Sequence, residues 1–233
     1  MVLFFFLQAV NTHTIGSSFV GVADITQGNA FHLNPATINL EQKALNLGIS
    51  YTSLIENKFL YISDTNPRIF KSGLGLSLDD KNSWEATLLM GVSLKVIDFG
   101  LLTIFSKDRI ELWRLGGFLS FSDITFGISA DFSSKFLLQS FQAGAGVIIK
   151  SLFLEADLKA TDSIIERMGM KGMVVFKENI KITVSGYKNI PDKFYVGSLG
   201  LSYSLQNFVF SGAYSRNITL KTNMFSMGFG ISL

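Results

Sequence analysis

The sequence predicts an all-β fold, a transmembrane antiparallel β-barrel of about fourteen strands with an irregular segment ahead of it. Three observations predict this. The chain is greasy and poorly charged, with 48% hydrophobic residues, 22 Phe and 16% charged residues, whereas a soluble domain carries about 25% charged residues. No run reaches the roughly 20 apolar residues of a spanning helix. Apolar side chains instead recur at every second position over most of the chain. The last ten residues show the pattern best. Phe225, Met227, Phe229, Ile231 and Leu233 alternate with Met224, Ser226, Gly228, Gly230 and Ser232. Successive side chains of a strand point to opposite faces, so this strand has one oily face and one small, uncharged face. A soluble strand would carry Lys, Glu or Thr on its wet side.

The chain divides into a segment 1–15, a segment 16–43 and a strand-rich region 44–233. Val2 to Leu7 is a short apolar run that reads as an incomplete export signal, because it lacks a positive flank and a small-x-small cleavage site. The mature chain is expected to begin near His13 to Gly16, the alternative being a buried first strand.

From Ala44 onward, strand follows strand. Leu45, Leu47, Ile49 and Tyr51 alternate with Asn46, Gly48, Ser50 and Thr52. Strands follow near 58–63 and 69–78, then Trp84 to Lys95, with a turn at Val96 to Asp98. Further strands cover Phe99 to Phe105, Trp113 to Phe121, Ile124 to Ser133, Phe141 to Ile149 and Leu152 to Lys159. The last cover about 165–176, 180–187, 194–205, 207–216 and 222–233. Roughly ten residues is the length a tilted strand needs to cross a bilayer, and an even count returns both chain ends to one side. The connections are short hairpins. With the C-terminus in the periplasm, Val96 to Asp98, Lys150-Ser151, Lys177 to Asn179 and Gln206-Asn207 are periplasmic turns, and the outer loops are unusually short.

Two physical arguments favour a membrane over a soluble sandwich. Lipid cannot hydrogen-bond a backbone, so a sheet within it must close on itself, which also removes adhesive edges. The strand charges Glu85, Lys95, Asp131, Glu155, Asp157, Lys159 and Lys181 tend to share the Gly/Ser side, the prospective lumen. On a lipid face near the midplane each Lys or Arg would cost about 2–4 kcal/mol. Glu155, Asp157 and Lys159 on one strand read as a structural lumen cluster, or alternatively as selectivity groups of a pore. Trp84, Trp113, Tyr51, Tyr195 and Tyr203 fall near strand ends or on the oily face, where an interfacial girdle would sit.

Gly16 to Lys43 breaks the strand pattern. Its small residues suit close packing in a confined space, and Asn34-Pro35 favours a turn, since the residue before Pro avoids the αR region. With Ala23-Asp24 and Asn34-Pro35-Ala36 ahead of the strands, the chain resembles the outer-membrane fatty-acid transporter (FadL) superfamily, including the PorV-type proteins of type IX secretion and related spirochaete proteins. A terminal strand ending on an apolar residue is also how bacterial outer-membrane barrels commonly finish. The resemblance implies that Ala23, Asp24, Asn34, Pro35 and Ala36 belong to a hatch folded into the periplasmic mouth. It also implies an outer-membrane location and passive uptake of hydrophobic small molecules such as long-chain fatty acids. Leu89, Leu102, Phe118, Ile148 and Phe153 lie on the small-residue side and are the expected ligand-lining groups; alternatively they fill a narrow lumen. The chain is shorter than a typical fatty-acid transporter and lacks long outer loops. A PorV-type scaffold that binds secretion-machinery proteins is therefore the second expectation.

Enzymatic chemistry is not expected. The two histidines, His13 and His32, both precede the barrel, leaving no strand-borne imidazole base. His32 reads as a hydrogen-bonding hatch residue. No Gly-x-Ser-x-Gly, phosphate loop or His-carboxylate metal cluster occurs, so neither cofactor nor metal is expected. Cysteine is absent, so there is no disulfide framework. The formal net charge of +2 is small and unclustered and gives no case for nucleic acid.

Overall fold

The alternating pattern folds as strands throughout. The computed structural model describes residues 22–23, 30–40, 45–53, 56–66, 70–78, 83–106, 109–162, 164–176 and 179–233. The leader expected over 1–15, His13, Asp24 and most of the segment before residue 30 lie outside the described residues. One 3-10 helix, η1 (Pro35–Leu40), precedes fourteen strands. They are β1 (Leu45–Thr52), β2 (Asn57–Asp64), β3 (Phe70–Leu78), β4 (Trp84–Leu94), β5 (Ile97–Ser106), β6 (Arg109–Phe121) and β7 (Ile124–Ser133), then β8 (Leu138–Ile149), β9 (Leu152–Thr161), β10 (Ile164–Phe176), β11 (Ile180–Asn189), β12 (Tyr195–Leu205), β13 (Phe208–Asn217) and β14 (Thr222–Ser232).

Each strand pairs antiparallel with its sequence neighbours, and β1 pairs with β14 to close the barrel. The closing register sets Gly48 opposite Gly230 and Ile49 opposite Phe229. Closure therefore joins two strands whose oily faces already agree, and no ladder edge is left open.

The period-2 pattern sorts the side chains as the sequence implies. Outward residues such as Met170, Met227, Leu199, Leu201, Ile128 and Phe225 are exposed, Met170 at 72% and Met227 at 69%. Inward residues such as Thr125, Glu155, Lys171, Ser198 and Ser226 are buried. An oily exterior wrapped around a polar interior inverts the soluble arrangement. Exposed apolar surface of that extent far exceeds the few hundred Å² that a soluble monomer tolerates as one patch. Tyr51, Trp84, Tyr195 and Tyr203 are all exposed on this outer face, and Trp113 stacks there on Phe136 with ring centroids 5.3 Å apart. No helix among the described residues is long and apolar enough to cross a membrane.

The rim that holds the C-terminus carries four two-residue turns. β4 to β5, β6 to β7, β8 to β9 and β12 to β13 each join through two residues. The first residue of each turn has positive φ: Lys95 at 57°, Ser122 at 51°, Lys150 at 57° and Gln206 at 52°. The turn expected at Val96 to Asp98 is in fact Lys95-Val96, because Ile97 and Asp98 already pair with Leu94 and Ser93. The opposite rim is equally spare; residues 218–221 alone join β13 to β14.

Candidate functional site

Inside the barrel, the segment 30–40 rests on a floor of glycine. Gly91 of β4 pairs with Gly100 of β5, and Gly100 with Gly116 of β6, so three glycines lie side by side on the inner wall. One strand further on, Gly127 and Gly144 are paired in the same way across β7 and β8. A Cβ at Gly100 would stand 2.2 Å from the Pro35 carbonyl carbon, one at Gly116 2.1 Å from the Asn34 amide oxygen, and one at Gly127 1.9 Å from the Val22 carbonyl oxygen. At Gly100 and Gly127 the backbone of the enclosed residues, the plug, touches the barrel backbone with no side chain between them, and at Gly91 and Gly116 plug side chains lie directly on the wall, which only glycine permits.

Asn34 organises the plug. Its Nδ2 donates to the carbonyls of Val22, at 2.7 Å, and Gly117, at 3.0 Å. Its Oδ1 accepts from the Ala36 amide at 3.1 Å, and its carbonyl oxygen accepts from the Thr37 hydroxyl at 2.8 Å. One side chain therefore ties residue 22, the start of η1 and β6 together. Pro35 sits at the first position of η1, where a missing N–H costs nothing. At the other end, Asn39 Nδ2 lies 3.2 Å from each of the Val92 and Phe99 carbonyls, and Lys71 Nζ donates to the Asn39 carbonyl at 2.8 Å.

A band of charge holds the other flank. Glu155 and Lys171 are fully buried partners on β9 and β10, 2.9 Å apart. The second Glu155 oxygen accepts the Ala23 amide at 2.7 Å, and the Ala23 carbonyl accepts from the Thr125 hydroxyl at 2.9 Å. Arg114 grips Asp131 through Nε at 2.5 Å and Nη2 at 3.0 Å, and its Nη1 donates to the His32 carbonyl. Ser140 completes Asp131 at 2.9 Å. Gln142 donates to Asp157 at 2.5 Å, and Lys159 lies 3.6 Å from Glu166. Buried charges at this density are tolerable only when paired and hydrogen-bonded. Two of the pairs also hold plug backbone, through Ala23 and His32.

The third component is apolar. Ala30, Phe31 and Ile38 of the plug form one buried cluster with Phe59, Leu89, Leu102, Ile104 and Leu112 of the wall. Phe31 meets Phe59 edge-on at 5.9 Å and Tyr61 at 5.4 Å, and the His32 ring stands edge-on to Phe59 at 5.0 Å.

The sequence-derived residues fall on these components unevenly. Ala23, Asn34, Pro35 and Ala36 are buried within the barrel. Leu89, Leu102, Phe118 and Phe153 face inward and are buried, and Ile148 is half-buried on the same face of β8. They do not form one group: Leu89 and Leu102 belong to the cluster under Phe31, whereas Phe153 lies beneath Lys171, whose Nζ is 5.4 Å from its ring centroid. Glu155, Asp157 and Lys159 share the inner face of β9, but each is paired across to a neighbouring strand rather than with one another. Arg114 and Lys171 escaped the sequence reading, although both sit at inward positions of an alternating strand. A cavity of about 480 Å³ lies elsewhere, on the outer face of β3 to β8, between Phe70, Met90, Phe99, Leu115, Ile128 and Phe141. No group of three His, Cys, Asp or Glu placed to hold a metal occurs among the described residues.

The sequence matches no protein-family profile and no curated protein. Solved structures do match. A mutant of the Rh. blastica porin superposes with a TM-score of 0.54 at 8% identity, covering 81% of this chain and 98% of that one. A triple mutant of the Rhodopseudomonas blastica porin gives 0.52 at 8% identity with the same coverage. A structure described under the asymmetric conductivity of engineered proteins gives 0.53, again at 8%. Identity this low carries the fold and nothing finer: this chain has the closed antiparallel barrel architecture of porins.

Proposed function

We propose that the protein is a plugged barrel of the bacterial outer membrane that lets small hydrophobic molecules, such as long-chain fatty acids, cross passively when residues 30–40 leave their seat. One observation carries this reading. The plug side chains Phe31 and Ile38 occupy an apolar bay of Phe59, Leu89, Leu102, Ile104 and Leu112. An acyl chain offers that bay the same kind of contact, so an apolar ligand competes with the plug for one site. Burial of each large apolar group is worth about 1.5–3 kcal/mol, enough to shift a balanced seat. The bilayer is the surrounding partner in this account, and the lumen ion pairs position the plug rather than carry out chemistry.

The test is uptake of a fluorescent fatty acid into liposomes that contain the protein. Uptake above empty vesicles, increased when residues 30–40 are removed, is the expected result. Uptake equal to empty vesicles with the plug both intact and removed contradicts the reading. A second reading, a PorV-type scaffold for secretion proteins, draws on the short connections of both rims, which leave flat ends for docking. Crosslinking in native membranes separates the two, since a stoichiometric protein partner supports the scaffold and co-purified lipid supports transport.

A further inference from the structure

Resting on the transport reading, we propose that the ligand carries a neutral, hydroxyl-bearing head group, received by Asn57 and Ser50 on the inner wall while its tail takes the place of Phe31. Ser50 on β1 pairs with Phe59, and Thr52 with Asn57, so Ser50 and Asn57 are diagonal neighbours on adjacent strands. Both face inward and are buried, Asn57 at 1% exposure and Ser50 at 7%. Asn57 Nδ2 donates to the Ser77 hydroxyl at 2.7 Å. Its Oδ1 is a buried acceptor with no donor, and the Ser50 hydroxyl has no hydrogen-bond partner. Buried polar atoms in native proteins are nearly always satisfied, so two orphans side by side point to a missing partner.

Their position ties them to the plug. Asn57 and Phe59 are two residues apart on β2 and share the inner face. Phe59 is the ring on which both Phe31 and His32 rest. A ligand that displaces Phe31 therefore brings its polar end beside Asn57.

The hydrogen-bond arithmetic selects the head group. Asn57 Oδ1 needs a donor. An ionised carboxylate only accepts and cannot supply one. Three cations that line the plug are already engaged: Lys71 bonds the Asn39 carbonyl, Arg114 holds Asp131 and Lys171 holds Glu155. The adjoining charge is itself a carboxylate, Glu85, directly opposite Ser77. Diagonal neighbours stand roughly 7–8 Å apart. At that backbone spacing the two hydroxyls of one head group, each making a hydrogen bond of about 2.8 Å, can reach both side chains. A glyceryl ester meets both groups, whereas a fatty-acid carboxylate can accept from the Ser50 hydroxyl but leaves Asn57 Oδ1 unpaired, and so binds the same site more weakly.

The experiment is equilibrium binding to the full chain in lipid nanodiscs, measured against empty discs, with four ten-carbon probes: 1-decanoylglycerol, decanoate, decylammonium and decane. Decanoylglycerol is expected to bind about tenfold more tightly than decanoate, the worth of one well-made hydrogen bond. The margin is expected to shrink to about twofold in Asn57→Leu and in the milder Ser50→Ala. Decanoate or decylammonium binding as tightly as decanoylglycerol overturns the head-group inference and leaves hydrophobic transport standing. A preference that survives both substitutions also overturns it. Binding of none of the four overturns the transport reading and this inference together.

Discussion

Replacing Gly100 by alanine should unseat the plug without disturbing the barrel. The new Cβ would lie 2.2 Å from the Pro35 carbonyl carbon, 2.3 Å from the Ala36 nitrogen and 2.4 Å from the Pro35 oxygen. All three are backbone atoms, so no rotamer change relieves the clash. Normal contact requires η1 to retreat by roughly 1–1.5 Å. That retreat stretches the bonds from Asn34 to the Val22 and Gly117 carbonyls, now 2.7 and 3.0 Å, beyond useful range. Overpacking costs about 1–3 kcal/mol and two lost hydrogen bonds add about 1 kcal/mol each. The seated form therefore loses about 3–5 kcal/mol, or roughly two to three and a half orders of magnitude in the seated-to-unseated ratio. Single-channel recording in planar bilayers reads the effect: wild type is expected to stay mostly closed, and Gly100→Ala to show frequent open events. Gly197→Ala is the control, because Gly197 faces outward and a Cβ there meets nothing within 4 Å. If Gly100→Ala conducts like wild type, or Gly197→Ala opens the barrel equally, the glycine floor does not hold the plug.

Lys171→Met leaves Glu155 buried beside a neutral neighbour. It should lower barrel stability by about 3–5 kcal/mol, read as an earlier loss of heat-modifiable migration, and adding Glu155→Gln should recover part of it. Asn34→Ala removes the bridge among residue 22, η1 and β6, and proteolysis or hydrogen exchange over residues 30–40 should speed up while the strands stay protected. Leu201→Arg places a guanidinium on the oily face and should cost about 2–4 kcal/mol in vesicle unfolding. Ser202→Arg, one position along and facing inward, should cost much less.

The barrel was legible because alternation is a one-strand property. Phe225 to Leu233 declares both faces without reference to any partner, and the same holds for β1 and β7, which supports the strand count. The turn at Lys95-Val96 was harder to read. Its positive φ falls on a lysine rather than Gly or Asn, so the usual turn chemistry is missing. The plug seat was not legible at all. Gly91, Gly100 and Gly116 look like ordinary small residues in three separate strands, and only register brings them together. Arg114 and Lys171 could have been found by parity. Each alternates with outward apolar neighbours (Leu115 beside Arg114, Met170 beside Lys171), which forces the charge inward. The orphan atoms of Ser50 and Asn57 have no sequence signal, because satisfaction depends on what lies across the lumen.

The account depends on outward residues contacting lipid and inward ones being shielded from it. The chain contains no cysteine, so single cysteines can be introduced one at a time along β14 and spin-labelled in reconstituted vesicles. Collision rates with oxygen, which concentrates in the bilayer, should be high at Phe225→Cys, Met227→Cys and Phe229→Cys and low at Ser226→Cys, Gly228→Cys and Gly230→Cys. Uniform rates along the strand, or strong collisions with a water-soluble relaxant on the odd-numbered side, would contradict it.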